Sequence, residues 1–268
     1  LLVLDRPAVM GIINITPDSF YAGSRMRNMD EVLRLADLML SQGASILDIG
    51  GQSTRPGSEQ VGADRELERI TDPVAAIHKR FPEAILSVDT YYARVAREAV
   101  SAGASIVNDI SGGQLDPDML STVASLQAPY VLMHMKGTAA DMHVHTEYGD
   151  LTAEVLDYLA TRLQGCYQAG IRDVIVDPGF GFSKTIAQNF EILRNLRMFQ
   201  MLKAPVLLGL SRKSTVYKSL GVSPEEALNG TTVLNTIGLL NGAAILRVHD
   251  VKEAKEAITL VQACMKIN

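Results

Sequence analysis

The chain of 268 residues has no tryptophan and only two cysteines, and Phe, Trp and Tyr together make up 5% of it. Two cysteines cannot build a disulfide scaffold, and neither Cys166 nor Cys264 has a CxxC or histidine companion. Both read as free thiols, in keeping with a reducing compartment. Apolar runs such as Ala243-Ala244-Ile245-Leu246 are far shorter than the roughly 20 residues a membrane helix needs. Lys and Arg never cluster into a basic run, and the net charge is -5, so the footprint of a nucleic-acid protein is missing. No zinc spacing links His134, His143 and His145. The opening LLVLDRP carries an acid, a base and a proline, which does not read as a signal peptide. A cytoplasmic location is the expectation. What remains is ordinary for a globular protein: 47% hydrophobic, 21% charged, 21 Gly and 10 Pro. Residues 1–268 read as a single domain.

Four segments share one pattern: QGASILDIG (42–50), AGASIVNDI (102–110), AGIRDVIVDPG (169–179) and NGAAILRVHD (241–250). Each has a glycine suited to ending a helix in the left-handed conformation, then a short apolar run like a strand buried on both faces. Runs at 9–16, 84–90, 128–135 and 204–213 fit the same unit without the glycine. Helical periodicity fills the intervals, at 30–42, 65–80, 92–102, 117–126, 151–169, 188–201, 224–240 and 252–265. Eight alternating strand–helix units imply a parallel sheet, and the fold class expected is a single (β/α)8 TIM barrel. An open doubly wound sheet is the alternative, but no GxGxxG follows the first strand.

Such barrels build their active sites at the C-terminal ends of the strands. Those ends carry Asn14, Asp48, Asp89, Asn108, His134, Asp177, Lys213, Arg247 and His249. Asp89, Asn108 and Asp177 can accept hydrogen bonds from a heterocycle's amide and amino groups. Arg55, Lys213, Arg247 and His249 suit an anion. The inventory asks for a polar heterocycle with a phosphate tail.

NITPDSF (14–20), DIGGQSTRPG (48–57), SVDT (87–90), VNDISGG (107–113), LMHMKG (132–137), DPGFGFSK (177–184), GLSRKS (209–214) and RVHDV (247–251) occur in that order. In these motifs, over nearly its whole length, the chain resembles the dihydropteroate synthases. The resemblance implies a transferase of folate biosynthesis. It joins 7,8-dihydropterin-6-ylmethyl diphosphate to 4-aminobenzoate and releases pyrophosphate. It also implies that Asn14 helps hold Mg²⁺ and that Thr54, Arg55, Arg247 and His249 form the anion site. Asp89, Asn108, Asp177 and Lys213 would meet the pterin edge, with Met133 on its face. Aminobenzoate, or a sulfonamide imitating it, would lie near Phe182, Ser211 and Lys213. Asn14, Arg55, Lys213, Arg247 and His249 are then the catalytic set, acting by positioning and electrostatic stabilisation. A homodimer is implied too, with the apolar helices at 232–240 and 254–264 as a contact surface.

Two positions depart from the family's pattern. Gln52 stands where it usually has Glu, and Ala22 where it often has an acid. Other readings of such a barrel are a corrinoid-dependent folate methyltransferase and a pterin-binding protein without turnover.

Overall fold

The computed structural model describes residues 4–15, 25–52, 61–138 and 141–265, with backbone alone at 25–27 and 143. In chain order the elements are β1 (Ala8–Asn14), α1 (Arg25–Ser41), β2 (Ile46–Gly50), α2 (Ala63–Arg80), β3 (Ile85–Asp89) and α3 (Ala93–Ser101). Next come β4 (Ile106–Asp109), α4 (Met119–Leu126), β5 (Tyr130–Met133), α5 (Leu151–Ala169), β6 (Val174–Asp177) and α6 (Ile186–Arg194). The chain continues through β7 (Leu207–Leu208), α7 (Ser214–Leu220), α8 (Leu228–Leu240), β8 (Ile245–Val248) and α9 (Val251–Met265). Single 3₁₀ segments lie at Met142–Val144 and Leu196–Leu202.

All strand pairs are parallel, and the order around the sheet is β6-β5-β4-β3-β2-β1-β8-β7. Between β6 and β7 the ring closes through one bridge, Val176 to Val206, with Val176 N–H donating to Pro205 O at 2.9 Å. The fold is a (β/α)8 barrel, as the repeat implies. The four glycines of the repeat, Gly43, Gly103, Gly170 and Gly242, have φ of 99°, 120°, 100° and 93°. A side chain is strained at such angles, so each glycine lets the chain leave a helix and turn into the next strand.

Alternation along the strands sorts the side chains. One set packs outward against the helices, among them Leu47, Val88, Val107 and Leu246 with Ile70, Val95 and Ile258. The other points inward. Met10, Ile46, Ile106, Val131, Ile175 and Ile245 form a buried plug at the bottom of the barrel, with Ile85 against it. Because the period is two, the residue two places beyond each plug residue faces inward one layer higher. Those residues are Ile12, Asp48, Ser87, Asn108, Met133, Asp177 and Arg247. An apolar floor thus carries a mostly polar layer, with Ile12 and Met133 as its apolar members.

Some local expectations differ. Helix α1 begins five residues before residue 30. Helix α6 begins at Ile186, where Thr185 accepts from Gln188 N–H and Gln188 Oε1 accepts from Thr185 N–H, a reciprocal cap. It stops at Arg194, and the rest of the expected stretch winds as a 3₁₀ segment. Helix α7 was not expected, since seven residues are too few to show a period. The helix expected from residue 224 starts at Leu228.

Candidate active site

The floor of the site is a charge cluster. Arg247 enters from β8, and its Nε donates to Asp48 Oδ2 on β2 at 2.6 Å. Its Nη2 donates to Asp89 Oδ2 at the end of β3, also at 2.6 Å. Asn108 on β4 donates from Nδ2 to the same Asp48 oxygen at 3.0 Å. Four strands are therefore tied through one guanidinium fork and two carboxylates. Asp48 is fully buried, and its Oδ1 accepts no hydrogen bond among the described residues. Burial pushes the Asp89 carboxyl up to about 7, against the pull of Arg247. For Arg247, burial opposes the charge, but Asp48 and Asp89 outweigh it and hold the guanidinium above its ordinary value.

The opposite wall comes from β6 and β7. Asp177 ends β6, and its Oδ1 accepts the Gly179 N–H at 2.7 Å. Burial raises this carboxyl, while Lys213 and the Gly179 amide draw it down. Lys213 reaches across to donate to Phe180 O at 2.5 Å, with its ammonium 4.6 Å from the centre of the Phe182 ring. Burial lowers its pKa to about 8, with Asp177 resisting. Gly209 lies beside this pair: a Cβ on it would stand in ordinary contact, 3.7 Å from Lys213 Nζ and 3.9 Å from an Asp177 oxygen. Phe182 and Met133 belong to one apolar cluster with Tyr91, Ile110, Met135 and Met142. One side of the barrel mouth is thus greasy, and the other is charged.

At the rim, Ser211 and His249 pair. His249 N–H donates to Ser211 Oγ at 3.1 Å, and the same hydroxyl lies 3.0 Å from His249 Nδ1. Asn14, the exposed last residue of β1, sits in register with Gly50. A Cβ on Gly50 would lie 3.7 Å from both Asn14 Oδ1 and Asp89 Oδ2, so these oxygens converge on the mouth above β2.

A match to the pterin binding enzymes spans residues 10–249. The dihydropteroate synthase of Escherichia coli strain K12 is 42% identical over 266 residues, covering 98% of this chain and 94% of that one. The chain belongs to the dihydropteroate synthase family. A crystal structure of the Yersinia pestis dihydropteroate synthase with a sulfonamide drug complex superposes with a TM-score of 0.92. That protein is 42% identical, over 98% of this chain and 96% of its own. The Xanthomonas albilineans dihydropteroate synthase in complex with 7,8-dihydropteroate gives 0.89 at 37% identity, covering 100% and 97%. The family's reaction in folate biosynthesis, transfer of a pterinylmethyl group, is therefore this chain's.

Within that family frame, the barrel brings together ten of the twelve expected site residues: Asn14, Asp89, Asn108, Met133, Asp177, Phe182, Ser211, Lys213, Arg247 and His249. Thr54 and Arg55 lie outside the described residues, as do Ala22 and the TPDSF stretch. Two groupings change. Arg247 was expected with the anion site and apart from Asp89 and Asn108, yet it is bonded to Asp89 directly and to Asn108 through Asp48. His134, a strand-end residue, lies one place past inward-facing Met133, and its ring stacks edge-on against Tyr158 at 4.8 Å. Its Nδ1 lies 2.9 Å from Lys184 Nζ. Burial, with Lys184 and Lys136 adding to it, lowers His134 to about 2.

Two residues were missed. The sequence marks Asp48 only as a strand end, although it stands two places after inward-facing Ile46, as Asn108 does after Ile106. Lys184 is buried, and its ammonium also donates to Gly179 O at 3.0 Å and Phe182 O at 3.1 Å. It fixes the turn that presents Phe182. Burial lowers its pKa to about 7, Asp177 opposing.

Proposed function

We propose a division of labour for dihydropteroate synthesis at this mouth. The pterin ring lies on Met133, with its donor edge against Asp177 and Asn108, and Lys213 and Asp89 at its margins. The diphosphate lies toward Arg247 and His249, and Thr54 and Arg55 complete that subsite. The Phe182 ring, the Ser211 hydroxyl and the Lys213 ammonium receive aminobenzoate, whose carboxylate suits a cation and whose ring suits an aromatic face. The amine nitrogen forms a C–N bond to the pterin methylene as the C–O bond to the diphosphate breaks. The amine's proton leaves to the released diphosphate or to water. Arg247 sits where negative charge grows on the leaving group, and two carboxylates already fix its orientation. The observation that carries this reading is that fork: one cation held rigidly at the end of a polar layer, facing the mouth's carboxylates and amides.

Mg²⁺ fits as a companion of the diphosphate. The described residues hold no group of three or more His, Cys, Asp or Glu able to bind a metal, but Asn14 offers an exposed amide oxygen at the mouth. Mg²⁺ commonly keeps waters and phosphate oxygens beside one or two protein ligands. Bound there, it would neutralise charge on the departing diphosphate. We also infer a homodimer in which helices α8 and α9 meet those of a second copy. Their exposed Val233, Ile237, Leu240 and Leu260 support this. The free thiols Cys166 and Cys264 support the cytoplasm as its site of action.

The test mixes the protein with pterin diphosphate, aminobenzoate and Mg²⁺, and measures pyrophosphate and dihydropteroate. Stoichiometric formation of both is expected. Release of pyrophosphate without dihydropteroate, or no release at all, refutes the assignment. Chelating Mg²⁺ should abolish turnover, and a monomer by light scattering would remove the dimer.

A further inference from the structure

Glu66 lies in the first turn of α2, is fully buried, and none of the family's motifs explains it. Neither of its carboxyl oxygens makes a well-formed hydrogen bond among the described residues, and the Thr90 side chain is the donor that draws on them. A carboxylate this poorly paired and this deeply buried is one of the costliest groups a protein can hold, which favours the neutral acid. Its surroundings are the exits of two strands that feed the active site. A Cβ on Gly51, just past β2, would lie 3.1 Å from Glu66 Cγ and 2.7 Å from Ile70 Cγ2, so the side chain is wedged beneath that backbone. One turn along, Arg69 Nη1 donates to Gly51 O at 2.7 Å, bracing the same peptide from the helix. Gln52 Nε2 donates to Tyr91 Oη at 2.7 Å, linking the β2 exit to the β3 exit. The groups facing Glu66 are Asp89 at the end of β3, Thr90 and Tyr91 just past it, and Arg69 on its own helix.

Resting on the synthase reading above, we propose that Glu66 is a positioning residue for this reaction. As an acid wedged under Gly51 beside Thr90, it sets the spacing of the β2 and β3 exits and so holds Asp89 where it orients Arg247. Two ionised carboxylates cannot share this buried corner. An ionised Glu66 would either displace the Gly51 backbone or drive a proton onto Asp89, and Arg247 would lose one of its two anchors. The direction of its titration agrees. Burial pushes Glu66 up to about 8, Thr90 pulls it back, Asp89 adds to the rise and Arg69 opposes it. The acid is therefore neutral at pH 7 and ionises on the alkaline side.

The experiment compares the full-length protein with Glu66→Gln, which keeps the shape and can never ionise, from pH 7 to 9.5. The ratio of wild-type to variant KM for the pterin diphosphate should be near one at pH 7. It should climb toward the roughly thirtyfold ceiling that one ionisation allows 1.5 pH units above its midpoint. The kcat ratio should stay within about twofold. Taking ratios cancels the titrations of Lys213 and of the substrate, which both proteins share. A KM ratio that stays flat overturns the proposal, as does a Glu66→Gln protein that loses kcat at pH 7 with KM unchanged. If Glu66→Gln does not fold, Glu66→Met gives the same comparison. Wild-type turnover at pH 7 tests the synthase reading separately. Should turnover be absent, the same ratio is read as the Kd for pterin diphosphate by calorimetry, and a flat ratio there again overturns the role of Glu66.

Discussion

Replacing Arg247 with Ala strands two carboxylates at once. The Asp48 side chain is 0% exposed and that of Asp89 10%, so neither can turn to water for compensation. Removing one partner of a buried ion pair costs about 3–5 kcal/mol. In a chain of this size each kcal/mol moves Tm by about 2–4 °C, so a fall of about 6–20 °C is expected. Asp89 can relieve part of the cost by taking up a proton, since burial already pushes it up to about 7 and loss of Arg247 raises it further. A carboxyl whose folded value is raised stabilises the fold fully below its unfolded value, about 4, and that contribution is lost as pH rises through the folded value. The deficit of Arg247→Ala should therefore be smaller near pH 5 than at pH 8. Adding Asp89→Asn to Arg247→Ala should restore part of the Tm at pH 8 and flatten the difference between the two pH values. Calorimetric scans of wild type, both single variants and the double variant at the two pH values settle it. A Tm loss under about 2 °C, or a deficit equal at pH 5 and pH 8 and untouched by Asp89→Asn, would refute the mutual dependence of Arg247 and Asp89.

Two further perturbations probe the opposite wall. Asp177→Asn should weaken binding of a pterin lacking the diphosphate by roughly thirty- to hundredfold, about 2–3 kcal/mol, because an amide presents a mismatched donor in place of an acceptor. Isothermal titration reads this directly, and unchanged affinity removes Asp177 from the ring pocket. Lys184→Met leaves Gly179 O and Phe182 O without their buried donor, so the Phe182 turn loosens. The KM for aminobenzoate should rise about tenfold and that for pterin diphosphate much less. Steady-state kinetics showing the reverse order would place Lys184 on the pterin side.

Much of this arrangement is legible in the sequence, and for identifiable reasons. The repeat glycines announced themselves because only glycine tolerates the backbone they must adopt. The inward carboxylates and amides stood out because a polar residue two places after a buried isoleucine interrupts an otherwise apolar strand. The failures have equally physical causes. His134 looked like its neighbours, yet a shift of one residue along a strand reverses the face, and the sequence alone does not fix that register. An acid in the first turn of a helix is usually there for the helix dipole, so Glu66 gave no sign of lying beneath a neighbouring backbone. Lys184 ends a glycine-rich turn, where a lysine normally reaches solvent, and only the folded turn reveals carbonyls converging on its ammonium. The joining of Arg247 to Asp48 depends on residues 199 positions apart.

The single bridge between Val176 and Val206 has a consequence for how the barrel holds its shape. Elsewhere neighbouring strands are stitched by runs of backbone hydrogen bonds, while the β6–β7 seam has one short stitch and relies on what lies above it. Asp177 stands at the top of one lip, and Lys213 follows the other. A bound molecule that engages both would act as a staple across the seam. Amide hydrogen exchange at Val176 should then slow on binding far more than at Val107 or Val131, which sit in well-laced strands. In this barrel, cohesion of the wall and occupancy of the pocket are two faces of one equilibrium.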